Sequence, residues 1–337
     1  MQGRECFLRK VTVLINRAAR NGCDRRRLDA IRSAFADCHL NVLTPDSYQA
    51  LCLAAKAATT DGTDLVLVVG GDGTVNAVVN QLAHSATPLA IIPAGTANDL
   101  ASHLDIPLNP RGACAVARRG LVQTIDLVRV NDRLFATAGG LGVLSDVAVG
   151  VNRLKARQGA IRKTVKILGS PVYVLYSFIL LLFSRRIVSD LAVSADGQDL
   201  GPMRTIALFV NNQPSIGKIV VSYPGAHMAD GKLGLCVMRQ RNRLQSIVTV
   251  TLMSLKGRHS RRKDVMMREG RAFTITASED KVFIGDGEVL ATSKRMELSV
   301  VPGALRVISG RLLVDDAYLE VRVEKSAIPL EKLGADR

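Results

Sequence analysis

Two short clusters hold the residues best suited by type and spacing to do chemistry. In Gly70-Gly71-Asp72-Gly73-Thr74 the apolar run LVLVVG (65–70) breaks and a helical pattern starts at Thr74. Glycines let a backbone approach a ligand closely, and the unsatisfied N–H groups of a helix's first turn attract anions, so phosphate is the natural occupant. A carboxylate would repel phosphate unless it were linked to Mg²⁺ or took up a proton, which gives Asp72 one of those two roles. A bare strand-to-helix turn seldom needs three glycines around an Asp.

Residues 93–100, PAGTANDL, repeat the arrangement after the next apolar run: Gly95 and Thr96 fall at the turn, Asn98 and Asp99 in the first helical turn. Two more acidic segments stand apart. Asp286-Gly287-Glu288 follows the strand-like VFIG, and Asp230 lies in ADGKL. Taken alone, both read as tight turns, Asp-Gly being a common hairpin pair.

The elements that must hold these clusters follow from periodicity. From Lys10 to about Val130 short apolar runs alternate with helical patterns, as a doubly wound α/β sheet requires. Residues 11–16, 40–44, 64–70 and 88–93 are predicted strands, too apolar for a solvated face and therefore parallel and buried. Residues 24–38, 46–59, 74–83 and 96–104 are predicted helices, several opening on an N-capping Asp or Thr. In such sheets ligands bind beyond the carboxyl ends of the strands, where both glycine loops lie. Two domains are expected: residues 1–130, and a mostly antiparallel β domain over 131–310 whose short runs are separated by Gly, Asn and Asp turns. The charged tail, 311–337, either packs back on the first domain or stands apart.

One stretch of the second domain differs. No acidic residue occurs between Asp146 and Asp190, while Arg153, Lys155, Arg157, Arg162, Lys163, Lys166, Arg185 and Arg186 do. Within it Ser170 and Pro171 open an apolar helix, VYVLYSFILLLF, that rises only about 20 Å against a hydrocarbon core of about 30 Å, too short to span it. The helix either packs into the β domain or docks at a membrane interface. RQRNR (239–243) and KGRHSRRK (256–263) add a second cationic region, a solvated face or a contact for anionic lipid.

GGDGT followed by PAGTAND at this separation resembles the lipid kinase superfamily of diacylglycerol, ceramide and sphingosine kinases and their bacterial diacylglycerol-kinase-like relatives. The resemblance runs from the strand ending at Asn16 through DGKL (230–233) to GDGE (285–288). It implies an NAD-kinase-like α/β domain that binds ATP, a C-terminal β-sandwich that holds the lipid, and phosphoryl transfer in the cleft between them. ATP would contact Asn16, Thr44, Gly70, Gly71, Asp72, Gly73, Thr74, Gly95, Thr96, Asn98 and Asp99, with Mg²⁺ near Asp72. Glu288 matches the proposed general base for the lipid hydroxyl, and Asp286 is its companion. Asp230 matches a structural metal loop for Mg²⁺ or Ca²⁺. The chain departs from the pattern at three places: Arg17-Ala18-Ala19-Arg20 replaces Pro and small residues after Asn16, Ala77 stands where a Glu often follows Asn76, and Leu144 replaces an Asp, with Asp146 nearby.

Composition limits the partners. With 337 residues, 47% of them apolar, the chain can build two cores, and 45 Lys and Arg against 30 Asp and Glu call for an anionic partner. Nucleic acid is disfavoured because stacking aromatics are scarce: eight Phe, five Tyr and no Trp. Six scattered cysteines without a CxxC pair read as reduced thiols, the N-terminus lacks a signal-peptide pattern, and the five histidines show no ligand spacing. The expectation is a cytoplasmic lipid kinase, peripheral on the inner face of an anionic membrane, with a homodimer left open. Two rivals stand. An NAD kinase shares GGDGT and a β-rich second domain but does not require GTAND, the DGE element or the cationic apolar helix. A non-catalytic lipid or nucleotide sensor of the same fold would account for the departures at Asn16 and Leu144.

Overall fold

The computed structural model describes residues 9–16, 24–156, 171–184, 188–217, 219–255 and 257–313. Arg17 to Arg20, the side chain of Lys155, residues 157–170, Arg185, Arg186, Lys256 and residues 314–337, all part of the sequence reading, lie outside the described residues.

The first half alternates β1 (Lys10–Ile15), α1 (Arg25–Ala34), β2 (His39–Leu43), α2 (Tyr48–Ala58), β3 (Leu65–Gly70), α3 (Asp72–Leu82), β4 (Leu89–Pro93), α4 (Asp99–His103) and α5 (Pro110–Arg119). The strands are parallel in the order β4-β3-β1-β2. β3 and β4 are buried throughout, but β2 is the sheet edge and holds only exposed and half-buried residues, so its expected burial on both faces does not hold. Helix α3 begins two residues before the expected Thr74, because Gly71 is extended and accepts the Val75 amide at 3.0 Å as the N-cap. Helix α4 starts later than expected, since Asn98 is left-handed at φ 50° and halts any earlier turn. Helix α5 was not anticipated, although Asn109-Pro110 signals it: Asn109 Oδ1 accepts the Gly112 amide at 2.7 Å and Pro110 occupies the first turn.

The second half comprises β5 (Leu121–Val130), β6 (Arg133–Phe135), β7 (Ala138–Gly142), α6 (Val143–Ala156), α7 (Pro171–Phe183), β8 (Ser189–Ala195), β9 (Gln198–Asn211), β10 (Ser215–Ile216), β11 (Val220–Val221), β12 (Leu233–Arg239), α8 (Arg243–Ser254), β13 (Val265–Gly270), β14 (Ala272–Gly285) and β15 (Glu288–Ser309). Its pairings are antiparallel around a core that includes Phe135, Leu208, Phe273, Phe283 and Leu298. Helices α6, α7 and α8 cover one face of β9 and β12, burying Val151, Val172, Leu181, Phe209, Met238 and Met253 together. No helix among the described residues is long and apolar enough to cross a membrane.

The two halves share one sheet. β15 leaves the hairpin with β14, runs antiparallel to β5 and ends beside β4, where Val307 pairs with Leu89 in parallel register. Residues 311–313 follow, and Leu313 is buried in the core of the first half. A single strand thus connects the Asp286-Gly287 hairpin to the sheet that carries both glycine loops.

Candidate active site

Both glycine loops emerge at the carboxyl ends of neighbouring strands, β3 and β4, and their backbones touch. A Cβ on Gly71 would lie 2.9 Å from the Gly95 Cα, and one on Gly95 would lie 2.5 Å from the Gly71 Cα, so only glycine allows the approach. Asn98 closes the second loop: its Oδ1 accepts the Gly95 amide at 2.8 Å and its Nδ2 donates to the Gly95 carbonyl at 3.0 Å. Asp72 then bridges the loops, its two oxygens accepting the Asn98 amide at 3.0 Å and the Asp99 amide at 2.6 Å. Asn16, at the end of β1, donates to the Thr74 hydroxyl at 2.8 Å. These contacts fix the first turn of α3, whose leading amides have no ladder partner and could bind an anion. Thr44 and Thr96 are exposed at the same strand ends.

The carboxylates crowd one another. Burial raises the Asp72 carboxyl, with Asp286 adding to the effect against the two amide bonds that lower it. Burial also pushes Asp99 up to about 7, reinforced by the charges of Asp72 and Asp286 and opposed by the Gly217 amide and Gln213. Behind Asp99 a polar cavity of about 320 Å³ is lined by Ser102, His103, Asp105, Gln213 and Arg311 among others. Burial lowers His103 to about 4 there, helped by Arg311 and His227.

The second half contributes the Asp286-Gly287 hairpin. Asp286 at φ 51° and Gly287 at φ 81° form a two-residue turn in which Gly285 pairs with Glu288. The turn reading is therefore correct, and the Asp286 carboxylate does more besides. It accepts Asn76 Nδ2 at 2.8 Å, the Ala136 amide at 2.9 Å, the Thr137 amide at 2.9 Å and the Thr137 hydroxyl at 2.6 Å. Glu288 is exposed and reaches the start of α3: a Cβ on Gly73 would lie 2.5 Å from its Oε1. Tyr48 of α2 shares this rim; burial raises its phenol, as do Cys52 and the Glu288 charge, against Arg133.

Sequence reasoning missed Asn76, Asn80 and Asp126. Asn76 and Asn80 sit one helical turn apart on α3 and both donate to the Leu134 carbonyl, while the Leu134 amide donates to Asn80 Oδ1. Two buried-side amides at i,i+4 inside an apolar helix were the available signal. Asp126 is buried and accepts the Gly231 amide at 2.7 Å and the Gly303 amide at 2.8 Å. Asp146 lies on α6, where burial raises it and Lys281 is the charge acting against that rise.

Each Asp72 oxygen accepts one amide and keeps a lone pair, a donor set that fits a phosphate-held Mg²⁺ with one carboxylate nearby. In the ADGKL loop Asp230 Oδ1 accepts the Lys232 amide at 2.9 Å within its own turn. Among the described residues no three or more His, Cys, Asp or Glu side chains are grouped to hold an ion.

Comparison with known proteins places the arrangement. Residues 10–130 match the diacylglycerol kinase catalytic domain, and residues 146–309 match the YegS C-terminal NAD kinase beta sandwich-like domain. A Mycobacterium tuberculosis diacylglycerol kinase is 30% identical over 280 residues, covering 81% of this chain and 85% of that protein. A Bacillus subtilis diacylglycerol kinase is 29% identical, covering 70% and 74%. A crystal structure of a Bacillus anthracis diacylglycerol kinase shares the fold at a TM-score of 0.66 and 20% identity, over 90% of this chain and 98% of that one. With both glycine loops, the α/β domain and the β-sandwich in the matched order, the chain belongs to the bacterial diacylglycerol-kinase-like family of ATP-dependent kinases.

Proposed function

We propose that the protein transfers the γ-phosphoryl group of ATP to the hydroxyl of a diacylglycerol-type membrane lipid, acting in the cytoplasm at the inner face of the membrane. The observation that carries this reading is the exposed Glu288 carboxylate beside the first turn of α3. A phosphate held at that turn would put its terminal phosphorus near the Glu288 carboxylate, which is exposed where an acceptor hydroxyl could approach. The names of the Mycobacterium tuberculosis and Bacillus subtilis relatives support diacylglycerol as acceptor.

The chain's own groups divide the work. The amides of the Gly71–Thr74 turn bind phosphate, and Asp72 locks that turn to α4. Asp286, saturated by four donors, positions the hairpin rather than moving a proton. Glu288 takes the hydroxyl proton as the lipid oxygen bonds to the γ-phosphorus and the bond to the bridging oxygen of ADP breaks. Mg²⁺ bound with ATP would supply charge neutralisation, with Asp72 as the residue that would face it.

An assay with γ-labelled ATP against diacylglycerol, ceramide, sphingosine, phosphatidylglycerol and NAD tests the proposal. Labelled phosphatidate is the expected product. Label in NADP alone, or in no product, would overturn it.

A further inference from the structure

Helix α7 is buried on one side only. Ser177 and Leu181, one turn apart, are buried, whereas Leu175, Ile179, Leu182 and Phe183, spaced along the opposite helical face, are exposed, Phe183 at 76%. Helix α8 continues the patch with Leu244, 71% exposed, and Val248 one turn on. The two helices are tied together: the Arg243 guanidinium donates to the Leu182 and Ser184 carbonyls at the end of α7. An exposed aliphatic surface on two adjoining helices is costly in water and marks a contact site.

The sequence around it is one-signed. The segment that carries α7, 147–189, has no Asp or Glu, and neither does the segment that carries α8, 231–263, which holds nine Lys and Arg. Arg239, Arg241, Arg243, Arg258, Arg261 and Lys263 are all exposed there. A second copy of this chain would bring the same cations into apposition, so an apolar dimer contact here would be opposed by its own rim. An anionic bilayer meets both demands, offering acyl chains to the leucines and phosphates to the arginines.

We infer that α7 and the first turns of α8 form a membrane-docking face that inserts Phe183 and Leu244 into the interfacial region of an anionic bilayer. The binding is then two-part: attraction that salt screens, and an apolar anchor that salt leaves in place. The face adjoins the site, because α6, which packs on α7, continues directly from β7, and β7 pairs with Gly285 of the catalytic hairpin. The inference rests on the lipid-acceptor reading for its purpose, but it is tested without turnover.

The chain has no Trp, so Phe183→Trp introduces a single reporter. With phosphatidylglycerol vesicles its emission should shift to the blue and be quenched by brominated acyl chains. An otherwise equivalent Leu53→Trp reporter, exposed on α2, should be unaffected. The double variant Phe183→Ser/Leu244→Ser should keep the parental melting temperature and lose at least about tenfold in vesicle partitioning, with no residual binding in 1 M salt. Unquenched emission from vesicle-bound Phe183→Trp, or parental partitioning by the double serine variant, would overturn the inference. So would a parental dimer that the double serine variant dissolves while vesicle binding persists. Quenching without phosphorylation of diacylglycerol would leave the docking face standing and count against the kinase reading instead.

Discussion

Asn76 of α3 donates to the Asp286 carboxylate at 2.8 Å, joining the helix that starts at the phosphate loop to a hairpin 210 residues later. The bond lies between the two halves of the molecule, and the Leu134 carbonyl and Ala136 and Thr137 amides complete it. The position of Glu288 relative to α3 is therefore set by a hydrogen-bond network as well as by the shared strand β15.

Asp286→Asn keeps the turn, since Asn-Gly adopts the same backbone, but replaces one acceptor oxygen with a donor that faces amide donors. A loss of about 1–3 kcal/mol in urea stability is expected, from leaving buried donors unsatisfied. Asn76→Ala should lower kcat severalfold with little change in KM for ATP, because it loosens the hairpin and spares the phosphate turn. Parental stability in the first variant and parental kcat in the second would show that the network positions nothing.

The glycines of the two loops should respond differently. Gly95→Ala sets a Cβ against the Gly71 backbone, which cannot yield, so ATP affinity should fall by more than about tenfold. Gly73→Ala meets only the far end of the Glu288 side chain, so the fold and ATP binding should survive while kcat falls. Isothermal titration with a non-hydrolysable ATP analogue, paired with turnover, separates the two. Equal ATP affinity in Gly95→Ala and parent would contradict the close approach.

Asp99 and His103 line one cavity and are shifted in opposite directions. Asp99 is raised in the fold from 3.8 to about 7, so its protonation adds stability that is complete below 3.8 and lost as pH rises through about 7. His103 is lowered from 6.5 to about 4, so its contribution is present above 6.5 and lost as pH falls through about 4. The slopes oppose each other across the same window. His103→Gln should make stability fall more steeply than in the parent from pH 4 to pH 7, and Asp99→Asn should make it rise. Denaturant titrations at four pH values would contradict this if all three proteins gave one curve.

How much of this was legible in the sequence depends on the distance over which each residue works. Gly71, Asp72, Gly95 and Asn98 announce themselves because a strand breaking into a helix through glycines is a local pattern, and their partners lie within two adjacent loops. Asp286 reads as a turn because it is one, and its second use depends on partners 149 to 210 residues away that no local pattern links to it. Asn76 and Asn80 were hidden by the apolar character of α3. The edge exposure of β2 and the return of β15 to β4 follow from strand order, which burial and alternation do not specify. Helix α7 showed its length and apolarity in the sequence, but its division into a buried and an exposed face required its neighbours.

The central claim, that Glu288 takes the proton from a lipid hydroxyl attacking ATP held at the start of α3, rests most directly on one rate. That rate is phosphoryl transfer from γ-labelled ATP to detergent-dispersed diacylglycerol by the parent and by Glu288→Gln. Gln keeps the volume and the strand register and removes only the base, so kcat should fall by about 10²- to 10⁴-fold with ATP affinity and melting temperature unchanged. A folded Glu288→Gln protein that phosphorylates diacylglycerol at the parental rate would contradict the account.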